Sequence, residues 1–148
     1  IKVLFAGKGK LMEKTMEYAK KKGVSEKIKF LGFRKDIPDI LNMSDVIISS
    51  CNEEGLGLNI AEGMFSGLPA IASNVRGHRE MIKNNENGFL FEINNAQDMA
   101  DKLKIIYKDG EMREKMASRA YCDIQKFSIE NSLKSMSKIY LEEIREAR

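Results

Sequence analysis

Two patterns of hydrophobic and polar positions alternate along this 148-residue chain. Short apolar runs are bounded by turn residues, and longer stretches repeat their apolar residues three and four positions apart. Residues 1–6, Ile1-Lys2-Val3-Leu4-Phe5-Ala6, predict a short buried strand closed by Gly7-Lys8-Gly9. Residues 11–22 predict a helix with Leu11, Met12, Thr15, Met16 and Ala19 on one face. Gly23 stops it, glycine being the least strained residue at a left-handed C′ position. Ile28-Lys29-Phe30-Leu31 predicts a second strand, ended by Gly32. Asp36 reads as an N-cap, with Pro38 in the first turn of a short helix. Val46-Ile47-Ile48-Ser49 is apolar at consecutive positions, which predicts a strand buried on both faces of a parallel sheet.

The second half continues the alternation. Residues 51–57 predict a loop and 58–66 a helix, stopped by Gly67 with Pro69 beyond it. Residues 70–73 predict a fourth strand, and 88–91 a fifth. Between them a polar loop with Arg76-Gly77-His78 leads to a one-turn helix near 79–82. Helices follow at 96–108, 111–121 and 128 to about 147. The last has Ser128 as N-cap and a stripe of Ile129, Leu133, Met136, Tyr140 and Ile144. Strands separated by helices imply βαβ units. The expected fold is therefore α/β, a doubly wound, Rossmann-like parallel sheet with extra C-terminal helices, and residues 1–148 form one domain. Ligands of such sheets bind outside the carboxyl ends of the strands. Here those ends are residues 7–9, 32–34, 50–57 and 74–78.

Composition narrows the classes. Hydrophobic residues are 43% and charged residues 32%, which argues against a disordered chain. No apolar run approaches the ~18 residues of a membrane span, and no signal peptide is visible. A net charge of +3 is nearly balanced and makes no case for nucleic acid. Cys51 and Cys122 match no metal spacing, and the single His78 excludes multi-histidine zinc sites. Two thiols without a secretion signal favour a reducing, cytoplasmic setting. The chain starts at Ile1 inside an apolar run, as an excised piece of a longer protein would.

Gly7-Lys8-Gly9 lies between a strand and a helix, the context of a phosphate loop. A dinucleotide fingerprint needs glycine at position 12, which is Met12, and no P-loop pattern occurs, so NAD and P-loop ATP readings are poor. The plainer reading is a tight turn. Glu54-Gly55-Leu56-Gly57-Leu58-Asn59-Ile60-Ala61-Glu62 is more informative. Its two carboxylates are separated by about 80° and ~12 Å on ideal helix geometry. They could flank one extended polar ligand but not share one metal or proton. Gly55 and Gly57 would let a ligand approach the backbone. The N–H groups around Leu58 and Asn59 would face it from a positive helix end. A diphosphate between hydroxyl-bearing groups suits this arrangement, since a carboxylate accepts from vicinal sugar hydroxyls. The plainer alternative is a solvated Glu62 beside an ordinary glycine loop.

The segment 50–64, Ser50-Cys51-Asn52-Glu53-Glu54-Gly55-Leu56-Gly57-Leu58-Asn59-Ile60-Ala61-Glu62-Gly63-Met64, resembles the E-x7-E region of retaining GT-B glycosyltransferases of group 1, or family 4. Phe5-Ala6-Gly7-Lys8-Gly9, Ile28-Lys29-Phe30-Leu31-Gly32, Gly67-Leu68-Pro69-Ala70-Ile71-Ala72-Ser73 and Gly88-Phe89-Leu90 are similar to other motifs of that family, in order. Arg113, Met116, Ala117, Phe127 and Ser128 match a weaker pattern near the end.

The resemblance implies the C-terminal, donor-binding half of a sugar transferase. Glu54 would face the donor sugar as the catalytic residue, and Glu62 would hold the ribose. Backbone N–H groups at Leu58 and Asn59 would hold the pyrophosphate, and Gly7, Gly9, Gly55, Leu56 and Gly57 would also belong to the donor site. Leu31, Gly32, Phe33 and Arg34 would lie at the base. The implied partners are a nucleotide-sugar (UDP-sugar first, GDP-mannose second), the N-terminal domain of the same protein, and a glycan or lipid-linked acceptor of surface polysaccharide synthesis. No cofactor and no obligatory metal are implied, and the configuration would be retained. The family's usual Arg and Lys for the diphosphate would lie upstream of Ile1, so the fragment alone is expected to bind donor weakly and catalyse nothing. The alternative is a non-catalytic binding or interaction module on the same fold.

Gly63 stands where the family usually has Ala, at up to ~1 kcal/mol of helix propensity. Val75-Arg76-Gly77-His78-Arg79-Glu80 resembles a loop of capsule and exopolysaccharide transferases, which makes Arg76 or His78 a candidate sugar contact. The plainer reading is solvated loop charge. Lys20-Lys21-Lys22 reads as a basic helix end, with docking on an anionic membrane as its functional alternative. Cys51 adjoins the site loop, with no base assigned to it as a nucleophile.

Overall fold

Backbone hydrogen bonds in the computed structural model, which describes residues 1–146, divide the five strands between two parallel sheets. The chain forms two compact units, residues 1–40 and the residues from Leu41 on.

The first unit contains β1 (Val3–Ala6), α1 (Met12–Lys21), a 3-10 turn at Ser25–Lys27 and β2 (Ile28–Gly32). β1 pairs with β2 in parallel, Val3 opposite Ile28 and Phe5 opposite Phe30, with a register slip before Ala6. The Phe5 and Phe30 rings stack at 5.1 Å. Burial is shallower than the apolar run predicts: Val3 and Leu4 are half-buried, Phe5 and Ala6 exposed. Two strands and one helix offer too little surface to cover both sheet faces. For the same reason only Ala19 of the expected α1 face is buried. Gly23, at φ 68°, ends α1 as expected. Its N–H donates to the Lys20 carbonyl and that of Val24 to the Ala19 carbonyl, the paired bonds of a Schellman cap. The boundary between the units falls within α2 (Ile37–Asn42).

The second unit contains β3 (Ile47–Ser49), α3 (Leu58–Phe65), β4 (Ala70–Ser73), α4 (Arg76–Arg79), β5 (Gly88–Phe91), α5 (Ala96–Lys108), α6 (Gly110–Ile124) and α7 (Ile129–Glu146). Its sheet runs β3-β4-β5, all parallel, with Ile48 opposite Ile71 and Ile71 opposite Phe89. Side chains of a strand alternate between faces. Ala70 and Ala72 meet Ile60 and Met64 of α3 and Ala120 and Ile124 of α6 on one face. Ile71, Phe89 and Phe91 meet Ile106 of α5 and Met116 of α6 on the other. Helices thus cover both faces, the doubly wound arrangement, and β4 is buried at every residue. β3 is an edge strand, so Ile47 and Ile48 are half-buried rather than covered on both sides. A Cβ on Gly63 would lie 2.7 Å from Ile47 Cβ, so glycine there sets how closely α3 lies on β3.

Two helices, α4 and α6, depart from expectation. α4 begins three residues before 79, because the Gly77 N–H bonds to the Glu54 carbonyl and the Arg79 N–H to the Val75 carbonyl. α6 starts one residue early, with Asp109 capping the Met112 N–H at 2.9 Å. It runs on to Ile124, whose burial at 0% exposure carries the helix past Tyr121. Ser128 caps α7 through the Asn131 N–H. Ala147 of the expected helix lies outside the described residues. The whole α7 stripe, from Ile129 through Leu133, Met136 and Tyr140 to Ile144, is exposed.

One polar hub ties α6 to the segment before β5. The Asp123 carboxylate accepts from Arg119, Lys83 and the buried Asn87 amide. Burial by itself would raise this carboxyl. Hydrogen bonds and charge from Arg119 and Lys83 outweigh it and hold the group below its ordinary range.

Candidate functional site at the carboxyl ends of the strands

In the second unit the chain leaves β3 at Ser49, turns through residues 50–57 and enters α3 at Gly57. Gly57 sits in the left-handed region, φ 78° and ψ 60°, as the N-cap of α3. A Cβ there would also lie 3.0 Å from His78 Cδ2 and 3.2 Å from Met81 Cε, so conformation and packing both require glycine. The first intrahelical bond runs from the Ala61 N–H to the Gly57 carbonyl, and no side chain caps the helix. Leu58, Asn59 and Ile60 therefore carry the unpaired N–H groups of a positive helix end. Leu56, Leu58 and Asn59 are exposed.

Glu54 is half-buried in the loop before this helix end, and its Oε1 accepts the Gly55 N–H at 3.0 Å. Glu62 is exposed in the second turn of α3. Gly55 needs no glycine for packing, since a Cβ there would meet nothing within 4 Å. Gly77 is the opposite case: its Cβ would lie 2.5 Å from the Glu54 carbonyl oxygen and 2.7 Å from Gly55 C. The loops after β3 and β4 are therefore in backbone contact, which brings Glu54, Gly55, Gly57 and His78 together.

His78 is not the solvated loop residue of the plainer sequence reading. It is fully buried, with Nδ1 2.8 Å from the Ser73 carbonyl and Nε2 3.7 Å from Cys51 Sγ. Cys51, given no partner base from the sequence, thus has an imidazole beside it. The signal was present: the two residues follow adjacent parallel strands and so share one sheet edge. Arg76 is exposed, and Arg79 is held by the carbonyl and side-chain oxygens of Asn74.

In the first unit, the carboxyl ends of β1 and β2 are joined by the Gly7 N–H, which donates to the Gly32 carbonyl at 2.7 Å. The Gly9 carbonyl accepts the Met12 N–H as α1 begins. Leu31 is half-buried, while Phe33 is exposed. The Arg34 guanidinium is engaged by the Asp36 carboxylate through two N–H groups. That pairing, hydrogen bonding first, raises Arg34 and lowers Asp36 from their ordinary values.

The sequence model of the family described as "Glycosyl transferases group 1" matches residues 1–123. The chain belongs to this family. Among group 1 relatives, it is 35% identical over 140 residues to the putative glycosyltransferase EpsD of Bacillus subtilis, covering 95% of this chain and 37% of that protein. It is 35% identical over 107 residues to the UDP-Gal:alpha-D-GlcNAc-diphosphoundecaprenol alpha-1,3-galactosyltransferase of Escherichia coli, covering 72% of this chain and 28% of that one. The solved structure of S. aureus TarM superposes with a TM-score of 0.86 at 26% identity, over 95% of this chain and 28% of that chain. Anabaena Alr3699/HepE in complex with UDP, at 22% identity, shares the fold with a TM-score of 0.91, over 96% of this chain and 41% of that one. The chain spans less than half the length of these relatives.

Proposed function

We propose that this chain is the donor-binding part of a glycosyltransferase that moves a sugar from a nucleotide-sugar, UDP-sugar first, to a glycan or lipid-linked acceptor in surface polysaccharide synthesis. The observation that carries the reading is the uncapped N-terminus of α3 set between two carboxylates, Glu54 before it and Glu62 within it. The N–H groups at the start of α3 stabilise the charge of the departing diphosphate, where it develops as the glycosidic bond breaks. Glu62 accepts from the ribose hydroxyls, and Glu54 holds the donor sugar. Gly55 leaves the backbone open to the phosphates, while Gly57, whose missing side chain faces His78 and Met81, turns the chain into α3 so that the N–H groups after it face them. Gly7, Gly9, Leu31, Phe33 and Arg34 keep the roles that the family resemblance implies. The E. coli relative is named for a UDP-galactose donor and a lipid-diphosphate acceptor, which supports both substrate classes.

The finer parts of the reading are retention of anomeric configuration, no need for a metal in the transfer, and an N-terminal acceptor-binding domain in the same protein. We place the reaction at the cytoplasmic face of a membrane. Peripheral contact with that membrane is part of the same reading; no helix among the described residues is long and apolar enough to cross one.

The test is an NMR titration with UDP, GDP and NAD, repeated on Glu62→Ala. UDP or GDP is expected to shift amides from Gly55 to Glu62. Glu62→Ala is expected to weaken binding roughly ten- to hundredfold, the range for hydrogen bonds to a charged group. If NAD alone shifts them, or the variant binds like the parent, the reading fails.

A further inference from the structure

Three side chains of different chemistry converge where the loops after β3 and β4 meet. The Cys51 thiol, Glu54 carboxylate and His78 imidazole offer donor atoms all within 4.8 Å of one another. Cys51 Sγ lies 3.7 Å from His78 Nε2 and 4.0 Å from Glu54 Oε2. The ring is oriented from behind by the Ser73 carbonyl oxygen, 2.8 Å from Nδ1. A carbonyl can only accept, so Nδ1 carries a proton, and in the neutral ring that a metal requires Nε2 is the lone pair facing the thiol. A metal-ligating histidine is held in the same way, with its second N–H on a backbone carbonyl or carboxylate. Gly55 occupies Glu54 Oε1, which leaves Oε2 on the side of the cluster.

We propose that Cys51, Glu54 and His78 form a site for a thiophilic divalent cation, Zn²⁺ above all. Thiolate and imidazole select such ions over Mg²⁺ and Ca²⁺, which prefer all-oxygen shells. Metal–sulfur and metal–nitrogen bonds of about 2.3 and 2.0 Å give a tetrahedral S···N edge of about 3.5 Å. The observed separations reach that with small side-chain movements. On binding, the thiol S–H releases its proton to solvent as the sulfur–metal bond forms. One thiolate and one carboxylate then balance the two positive charges, and the imidazole stays neutral. Three protein ligands leave the fourth position to water.

The metal would hold the same Glu54 carboxylate that the proposed function turns toward the donor sugar, so the two ligands compete. This consequence rests on that reading, whereas the metal site does not. Metal binding that left donor binding unchanged would count against the Glu54–sugar contact alone.

The experiment titrates the full-length protein with Co²⁺, follows the thiolate-to-cobalt charge-transfer absorption, and then adds Zn²⁺. The band is expected to appear, to be displaced by Zn²⁺, to vanish in Cys51→Ser and to persist in Cys122→Ser. Glu54→Gln is expected to weaken Co²⁺ binding at least about tenfold. Absence of the band, or its survival in Cys51→Ser, overturns the proposal. Cys51 is only half-buried, so the deciding variant spares the fully buried His78.

Discussion

At Gly55 an added methyl group meets open space, and at Gly77 it meets the backbone of Glu54 and Gly55. The two glycines are alike in sequence and opposite in meaning. Gly55→Ala is expected to leave stability within about 0.5 kcal/mol of the parent, as at an unconstrained surface position. It should nevertheless weaken donor binding at least about tenfold, because the new methyl group occupies the ligand's approach. Gly77→Ala is expected to destabilise by about 1–3 kcal/mol, the range for overpacking against groups that cannot move aside. Urea unfolding and a UDP titration on both variants check the pair; equal stability losses would remove the distinction. Gly63 belongs with Gly77. Its helix-propensity penalty was legible in the sequence, but its cause, the approach to Ile47, needed the fold.

Among the elements, the α6–β5 connection gives a pH-dependent prediction. Asp123 is held below its ordinary value in the folded state. Its ion pairs therefore stabilise above the unfolded pKa of about 3.9, and that contribution is lost as pH falls through the lower folded value. Asp123→Asn keeps an acceptor for Asn87 but loses the charge. It should be less stable than the parent at neutral pH, with the gap closing below about pH 4; a gap independent of pH would contradict the assignment. Element types and order were legible from periodicity alone, and β4, β5 and α5 fall where the pattern puts them. The misplaced element was α4. Its start is fixed by the bond between Gly77 and Glu54, far apart in sequence, and local propensity cannot register such a bond. The burial of His78 escaped for the same reason.

At the scale of the whole molecule, the long exposed stripe on α7 predicts a surface that associates with other protein. Contiguous apolar patches of this kind are uncommon on monomeric proteins. We expect this chain, studied alone, to show concentration-dependent sedimentation, and Leu133→Lys with Tyr140→Lys to suppress it. Strictly monomeric behaviour at all concentrations would show that the face needs no partner. The sequence predicted this stripe, since amphipathic spacing survives whether or not its partner is present. It overestimated burial in β1 and β3, because an apolar run records what a strand could bury, not how many neighbours are there to bury it.

The bond from the Gly77 amide to the Glu54 carbonyl has one more consequence. A peptide carbonyl is the same acceptor whatever side chain its residue bears, so the fastening between these loops is blind to the identity of residue 54. The loop can exchange the side chain at position 54, and with it whatever that side chain binds, without losing its place in the frame. What it cannot exchange is the missing side chain opposite.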